Sequence, residues 1–151
     1  MFSTRIIGIG SAFGDDQLGW QVITELQAVL AVDISIDLLQ CASPASELLG
    51  LLRGAKQVIL VDAVHSQLFP VGMLQCWQRL EELPKQGLSS HGVDIATILQ
   101  LAEILGHGLR WKVYGVEIEL ESLQQMNCPL SEPVAAIIPS LVQQIQHDIA
   151  Q

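Results

Sequence analysis

The run Gln57-Val58-Ile59-Leu60-Val61-Asp62-Ala63 constrains this chain more than any other stretch. It is apolar, rich in β-branched residues and without polar alternation until Asp62, so both of its faces need cover. A strand buried on both faces belongs inside a mainly parallel sheet with helices packed on each side. An acid at the end of such a strand is costly unless it is hydrogen-bonded, paired or bound to a cation. Asp62 is therefore the first residue that calls for a functional explanation.

The rest of the chain supplies the partners such a strand requires. Arg5-Ile6-Ile7-Gly8-Ile9-Gly10 reads as a second buried strand closed by glycines. Leu18, Val22, Leu26, Val29 and Leu30 then recur at helical spacing. Val32 to Leu39 alternates apolar with polar, as a half-exposed strand near a sheet edge does. Ser43-Pro44 opens a second helix, with Leu48, Leu49, Leu51 and Leu52 as its expected buried side and Gly54 at its end. Val71 to Leu80 is strand-like but ambiguous. A third helix is expected from about Gly92 to Leu105, apolar apart from a narrow stripe of Asp94, Thr97, Gln100 and Glu103. Trp111 to Ile118 gives another strand, and Glu117, Glu119 and Glu121 mark an acidic loop after it. Ser131-Glu132-Pro133 suits a helix start with a serine cap, and Val134, Ile137, Ile138, Leu141, Val142, Ile145 and Ile149 form that helix's apolar face. Pro139, inside the pattern, is expected to bend it. Strands alternating with helices imply a three-layer α/β/α sandwich with a mainly parallel central sheet. Residues 1–151 read as a single domain, a length compact domains commonly have.

Composition narrows the function. Half the residues are hydrophobic and 15% are charged, which excludes a disordered chain. The net charge is −9, with only seven scattered Lys and Arg, the opposite of a nucleic-acid-binding surface. No apolar run is long enough to span a membrane, and the start has no signal-peptide layout, so the expected location is the cytoplasm. Cys41, Cys76 and Cys128 lie far apart with no CxxC pair, and are expected to be buried reduced thiols.

Ligands of open α/β sheets bind beyond the carboxyl ends of the strands. Three segments are expected to reach that edge: Gly10 to Gln17 with Asp15 and Asp16, Val61-Asp62-Ala63, and Ser89-Ser90-His91-Gly92. Two carboxylates and an imidazole there would suit nickel, zinc or cadmium, with positions left open for water or substrate. Each residue also has an ordinary reading. Asp15 and Asp16 would suit the dipole of the first helix. Asp62 could accept backbone N–H groups, and His91 could be a helix-start residue. His65 competes with His91 but sits in a loop of uncertain direction. His107 and His147 read as surface residues near helix ends. A dinucleotide loop is not supported, since GxGxxG would need glycine at Phe13, and no GxSxG or HExxH occurs.

Taken together, these segments resemble the hydrogenase maturation proteases. Gly8-Ile9-Gly10-Ser11 through Asp15-Asp16-Gln17-Leu18-Gly19 is similar to the family opening GxGN…DDGxG. Val58 to Ala63 is similar to its central strand ending in Asp-Ala, and Ser89-Ser90-His91-Gly92 to its S-x-H segment. Tyr114-Gly115-Val116-Glu117 and Leu130-Ser131-Glu132-Pro133-Val134 resemble its later strand and the start of its final helix. Ser11 stands where the family usually has Asn, Gln17 where it usually has Gly, and the loop is one residue short.

The resemblance implies an endopeptidase that removes a short C-terminal peptide from a nickel-loaded hydrogenase large-subunit precursor. Asp16, Asp62 and His91 match the family's metal-contacting positions. The nickel would be supplied by the substrate, with no permanent cofactor, and the enzyme would be a monomer. The alternatives are a zinc-dependent peptidase or amidase with its own metal at these residues, and a non-catalytic chaperone for the metallated precursor.

Overall fold

The computed structural model describes residues 4–33, 35–85, 95–106 and 108–151. Five strands form one sheet: β1 (Thr4–Ile9), β2 (Ile36–Cys41), β3 (Gln57–Val64), β4 (Leu74–Trp77) and β5 (Arg110–Glu117). Their order is β2-β1-β3-β5-β4, parallel except for β4, which runs antiparallel along β5 at the edge. Four α-helices cover it: α1 (Leu18–Val29), α2 (Pro44–Leu52), α3 (Ile95–Leu105) and α4 (Glu132–Ile149). The expected three-layer arrangement is present, with the apolar run at its centre. Val58, Ile59, Leu60 and Val61 of β3 are all fully buried.

Side-chain alternation along the strands divides the core in two. Ile6, Ile59, Val61, Tyr114 and Val116 face α1 and α4. Ile7, Leu60, Val64, Trp111 and Val113 face α2 and α3. On α4 the expected face is the observed one: Val134, Ile138, Leu141, Val142 and Ile145 are buried, Ile137 and Ile149 half-buried. The helix runs uninterrupted from Glu132 to Ile149 with Pro139 inside it. The half-exposed strand is shifted two to four residues along the chain, to Ile36–Cys41, leaving Val32 fully exposed. The ambiguous stretch contributes only the four-residue β4.

Two helices bury less than their patterns suggest. On α2, Leu48 and Leu52 are buried and Leu51 half-buried, while Leu49 is exposed. On α3, Ile95, Leu99 and Ala102 are buried, whereas Leu101, Ile104 and Leu105 are exposed. A helix packed on one side of a sheet covers a single stripe, and α3 carries more apolar residues than that stripe holds. The residues before Ile95 that the third helix was expected to include lie outside the described residues.

The α4 face also holds a buried polar network. The Tyr114 hydroxyl donates to Asp148 Oδ2, and Lys112 Nζ pairs with Asp148 Oδ1 at 3.0 Å. Burial, and then the Asp148 carboxylate, push the Tyr114 phenol well above its ordinary value. The fold therefore keeps this phenol neutral at pH values where the unfolded chain would ionise it. That contribution is complete below about pH 10 and is lost as pH rises above it. Tyr114→Phe is expected to cost about 1–2 kcal/mol at neutral pH and to flatten the fall in melting temperature above about pH 10, a difference that thermal melts at pH 7 to 11 would resolve.

Candidate active site at the carboxyl edge of the sheet

The loop after β1 begins at Gly10, whose N–H donates to Cys41 O at 3.0 Å, and ends in a 3-10 turn, Gly14–Gln17, that leads directly into α1. Gly14 needs to be glycine: its φ is +47°, and a Cβ there would lie 1.3 Å from Ser122 O. Asp15 and Asp16 both belong to this turn and are buried, but they have different partners.

Asp15 reaches across the sheet end to the start of α4. Its Oδ1 accepts the Ser131 N–H and its Oδ2 the Ser131 hydroxyl, both at 2.7 Å. The negative charge thus sits at the amino end of α4 rather than serving α1. Ser131 occupies the expected N-cap position, but its hydroxyl donates to Asp15 instead of accepting an N–H of its own helix. Asp15→Ala is expected to cost about 2 kcal/mol, the upper end for a lost helix-terminus contact, measured by urea denaturation.

Asp16 is held from its other side. The Ser11 hydroxyl donates to Asp16 Oδ2 at 2.6 Å, and the Ser11 N–H donates to Asp16 O at 3.2 Å. Serine at this position thus ties down the carboxylate, and the second departure from the family opening has a comparable use. Gln17 Nε2 donates to Gly14 O at 2.9 Å and to Cys128 O at 2.7 Å. Gly14 N donates to Gln125 O, Asn127 N donates to Ala12 O, and Phe13 bridges to Met126. The Asp15–Asp16 loop is therefore laced along its length to residues 125–131.

Asp62 is the sixth residue of β3, 1% exposed, with Oδ1 accepting the Ala63 N–H at 2.8 Å. The 3-10 turn packs against β3, so the Asp16 turn and Asp62 share the carboxyl edge of the sheet. His91 lies outside the described residues, as do Ser89, Ser90 and Gly92. Among the described residues no three His, Cys, Asp or Glu side chains converge as a metal site.

Neighbouring groups limit the chemistry available. Cys41, at the end of β2, is buried, and burial first, then Glu47 and the Asp62 charge, push its thiol up to about 11. A thiol so held stays protonated at neutral pH and is no nucleophile. The expectation of three buried cysteines holds for Cys41 alone, since Cys76 is exposed and Cys128 half-buried. His65 is turned by its own contact: Nδ1 lies 3.1 Å from Ile118 O, which can only accept, so Nδ1 carries the hydrogen. Its Nε2 is sealed from solvent and has no hydrogen-bond partner among the described residues.

Glu117 differs from the expected acidic loop. It ends β5, is 1% exposed, and accepts from the Ser66 N–H at 2.8 Å, the Gln67 N–H at 3.2 Å and the Ser66 hydroxyl. It braces the loop after β3, where Gln67 has φ +63°. Between that loop and Glu119–Glu121 lies a cavity of about 340 Å³ lined by His65, Phe69 and Leu120 among others. An extended peptide reaching the carboxyl edge would have this cavity beside it.

The fold, a five-stranded mixed sheet flanked by helices, matches solved structures. The maturating endopeptidase HybD of Escherichia coli superposes with a TM-score of 0.80 at 22% identity, covering 99% of this chain and 93% of that one. HycI from Thermococcus kodakarensis gives 0.77 at 20% identity over 98% and 92%, and HybD from the same organism 0.73 at 19% over the whole of both chains. No curated protein matches in a sequence search. The family model described as hydrogenase maturation protease matches residues 20–148, and the chain belongs to that family of peptidases.

Proposed function

We propose that this chain removes a short C-terminal peptide from a hydrogenase large-subunit precursor that already carries nickel, recognising the metal on the substrate. The observation that carries the reading is Asp62, an acid buried to 1% exposure at the carboxyl end of the central strand, on the same edge as Asp16 and in the fold of this family. Burying a carboxylate is costly unless it is hydrogen-bonded, paired or bound to a cation, and a substrate metal at this edge would be such a cation. In this reading Asp16, Asp62 and His91 contact the precursor's nickel. Carboxylate oxygens with an imidazole are a donor set that nickel accepts. The contact brings the scissile peptide to the edge, and a carboxylate or the substrate metal assists attack by water. The partner is the precursor, the setting the cytoplasm, and the enzyme acts as a monomer. No helix among the described residues is long and apolar enough to cross a membrane.

The test is mass spectrometry of a large-subunit precursor incubated with this protein, with and without nickel loaded. Loss of a short C-terminal peptide from the loaded form alone supports the reading. A precursor that binds but stays whole points to a chaperone. Cleavage that needs stoichiometric zinc on the enzyme points to a peptidase with its own metal.

A further inference from the structure

At the opposite edge of the sheet, where the strands begin, an open groove of about 660 Å³ runs between the carboxyl ends of α2 and α3. Its walls are chiefly apolar, with Leu52, Ala102 and Leu109 among them, and Leu49 and Leu105 carry the apolar surface out to solvent. Leu105 is 64% exposed, and Ile104 beside it 67%. Exposed apolar side chains at the mouth of an apolar groove mark a contact for something else.

Gly50 is the second observation. It lies inside α2, where glycine costs about 0.5–1 kcal/mol relative to alanine, and it lines the groove. A Cβ added there would meet nothing within 4 Å. The other glycines at sheet or loop contacts differ: a Cβ at Gly8, Gly10 or Gly19 would strike backbone within 2.1–2.4 Å. This chain's own packing therefore gives no reason for a glycine at position 50. Close approach of another backbone along the groove does.

Charge indicates what approaches. The protein carries −9 overall, yet Arg5, Arg53, Lys56 and Arg110, four of its seven cations, gather where β1, β3 and β5 begin. Arg5 is spent on the last carbonyls of α2, donating to Leu51 O and Arg53 O. Arg53, Lys56 and Arg110 are exposed, and Arg53 and Lys56 line the groove. Of the acids nearby, Glu103 on α3 accepts from Trp111 Nε1 at 2.6 Å, and Asp37 stands opposite Arg5 on β2.

We infer that the groove between α2 and α3 docks an acidic amphipathic helix of a partner protein, its apolar stripe laid over Gly50 and its carboxylates meeting Arg53 and Lys56. Helices seat in apolar grooves in this way, and a rim of opposite charge sets their orientation and speeds encounter. A helix suits the site better than a small ligand, because the groove is open and its apolar lining reaches solvent at Leu49 and Leu105.

The probe is a fluorescein-labelled peptide of about 18 residues, roughly 27 Å long as a helix, with leucines along one face and glutamates elsewhere. A second peptide has lysine at every glutamate position. Fluorescence anisotropy is read with the full-length protein. Saturable binding of the glutamate peptide is expected, with little for the lysine peptide and with weakening as salt screens the rim. Gly50→Leu fills the groove and should weaken binding at least about tenfold, as should Arg53→Glu combined with Lys56→Glu. Since a Cβ at position 50 meets nothing within 4 Å and leucine is the better helix former, the melting temperature of Gly50→Leu should equal or exceed that of the unaltered protein, so lost binding would not reflect unfolding. The inference falls if the glutamate peptide does not bind, if both variants bind it normally, or if the lysine peptide binds equally well. It also falls if sedimentation shows a dimer that Gly50→Leu abolishes, since the groove would then be occupied by a second copy.

Discussion

Asp62→Asn is expected to abolish cleavage of the nickel-loaded precursor while the protein stays folded. The substitution keeps size and shape at a position 1% exposed, and the asparagine oxygen can still accept the Ala63 N–H that now bonds Oδ1. What it removes is the negative charge. A single preorganised electrostatic contact at a reacting centre is worth about 10²–10³-fold in turnover, so cleavage followed by mass spectrometry should fall by at least that factor. The melting temperature should stay within a few degrees. A folded Asp62→Asn protein that cuts normally would remove Asp62 from the site. Asp15→Ala should differ in losing stability, because Asp15 is engaged by Ser131.

The largest expected effect on stability comes from Gly19→Ala, at the first turn of α1. A Cβ there would lie 2.3 Å from Ile9 O, 2.9 Å from Ile9 N and 2.8 Å from Val61 O. All three are backbone atoms of the two central strands, so no side chain can rotate away, and α1 would have to lift off the sheet. Gly8 faces the same approach from β1, its Cβ direction meeting Gly19 O at 2.1 Å. Overpacking of this kind against fixed atoms costs about 3–5 kcal/mol, at or above the usual range. For a chain of this size each kcal/mol moves the melting temperature about 2–4 °C, so a fall of about 6–20 °C is expected by calorimetry. Gly50→Leu, in an open position, should show no such fall.

These two glycines show why much of the fold was legible. Gly8 and Gly19 belong to the opening segment that resembled the family, and the structure gives that pattern a steric cause. The β3 run was equally readable, because a strand buried on both faces carries its environment in every residue. Asp62 stood out because an acid contradicts such a run.

Glu117 did not stand out. Its partners, Ser66 and Gln67, lie about fifty residues earlier in the chain, and nothing adjacent in sequence marks a carboxylate that a distant loop will surround. Glu119 and Glu121, two and four residues further on and exposed, make all three look like one solvated stretch. The Asp15–Asp16 pair was ambiguous for the same reason. Neighbours in sequence, they are told apart by partners such as Ser131 and Ser11, one of which is 116 residues away. On α3 and α2 the apolar pattern was visible, but which leucines lie on the sheet depends on helix rotation, and Leu49, Leu101 and Leu105 fell outside.

The lacing of the Asp16 loop to residues 125–131 also sets a time order. Gly14, Asp15 and Gln17 leave synthesis early, yet the groups that hold them, Gln125, Cys128 and Ser131, come more than 110 residues later. Closing so long a loop is entropically unfavourable until the sheet has gathered both ends. An emerging or truncated chain can build β1 through β3 and still lack a fixed Asp16 turn. In the proposed reading, where Asp16 contacts the substrate metal, competence to cut therefore arrives late, with the segment that leads into the last helix.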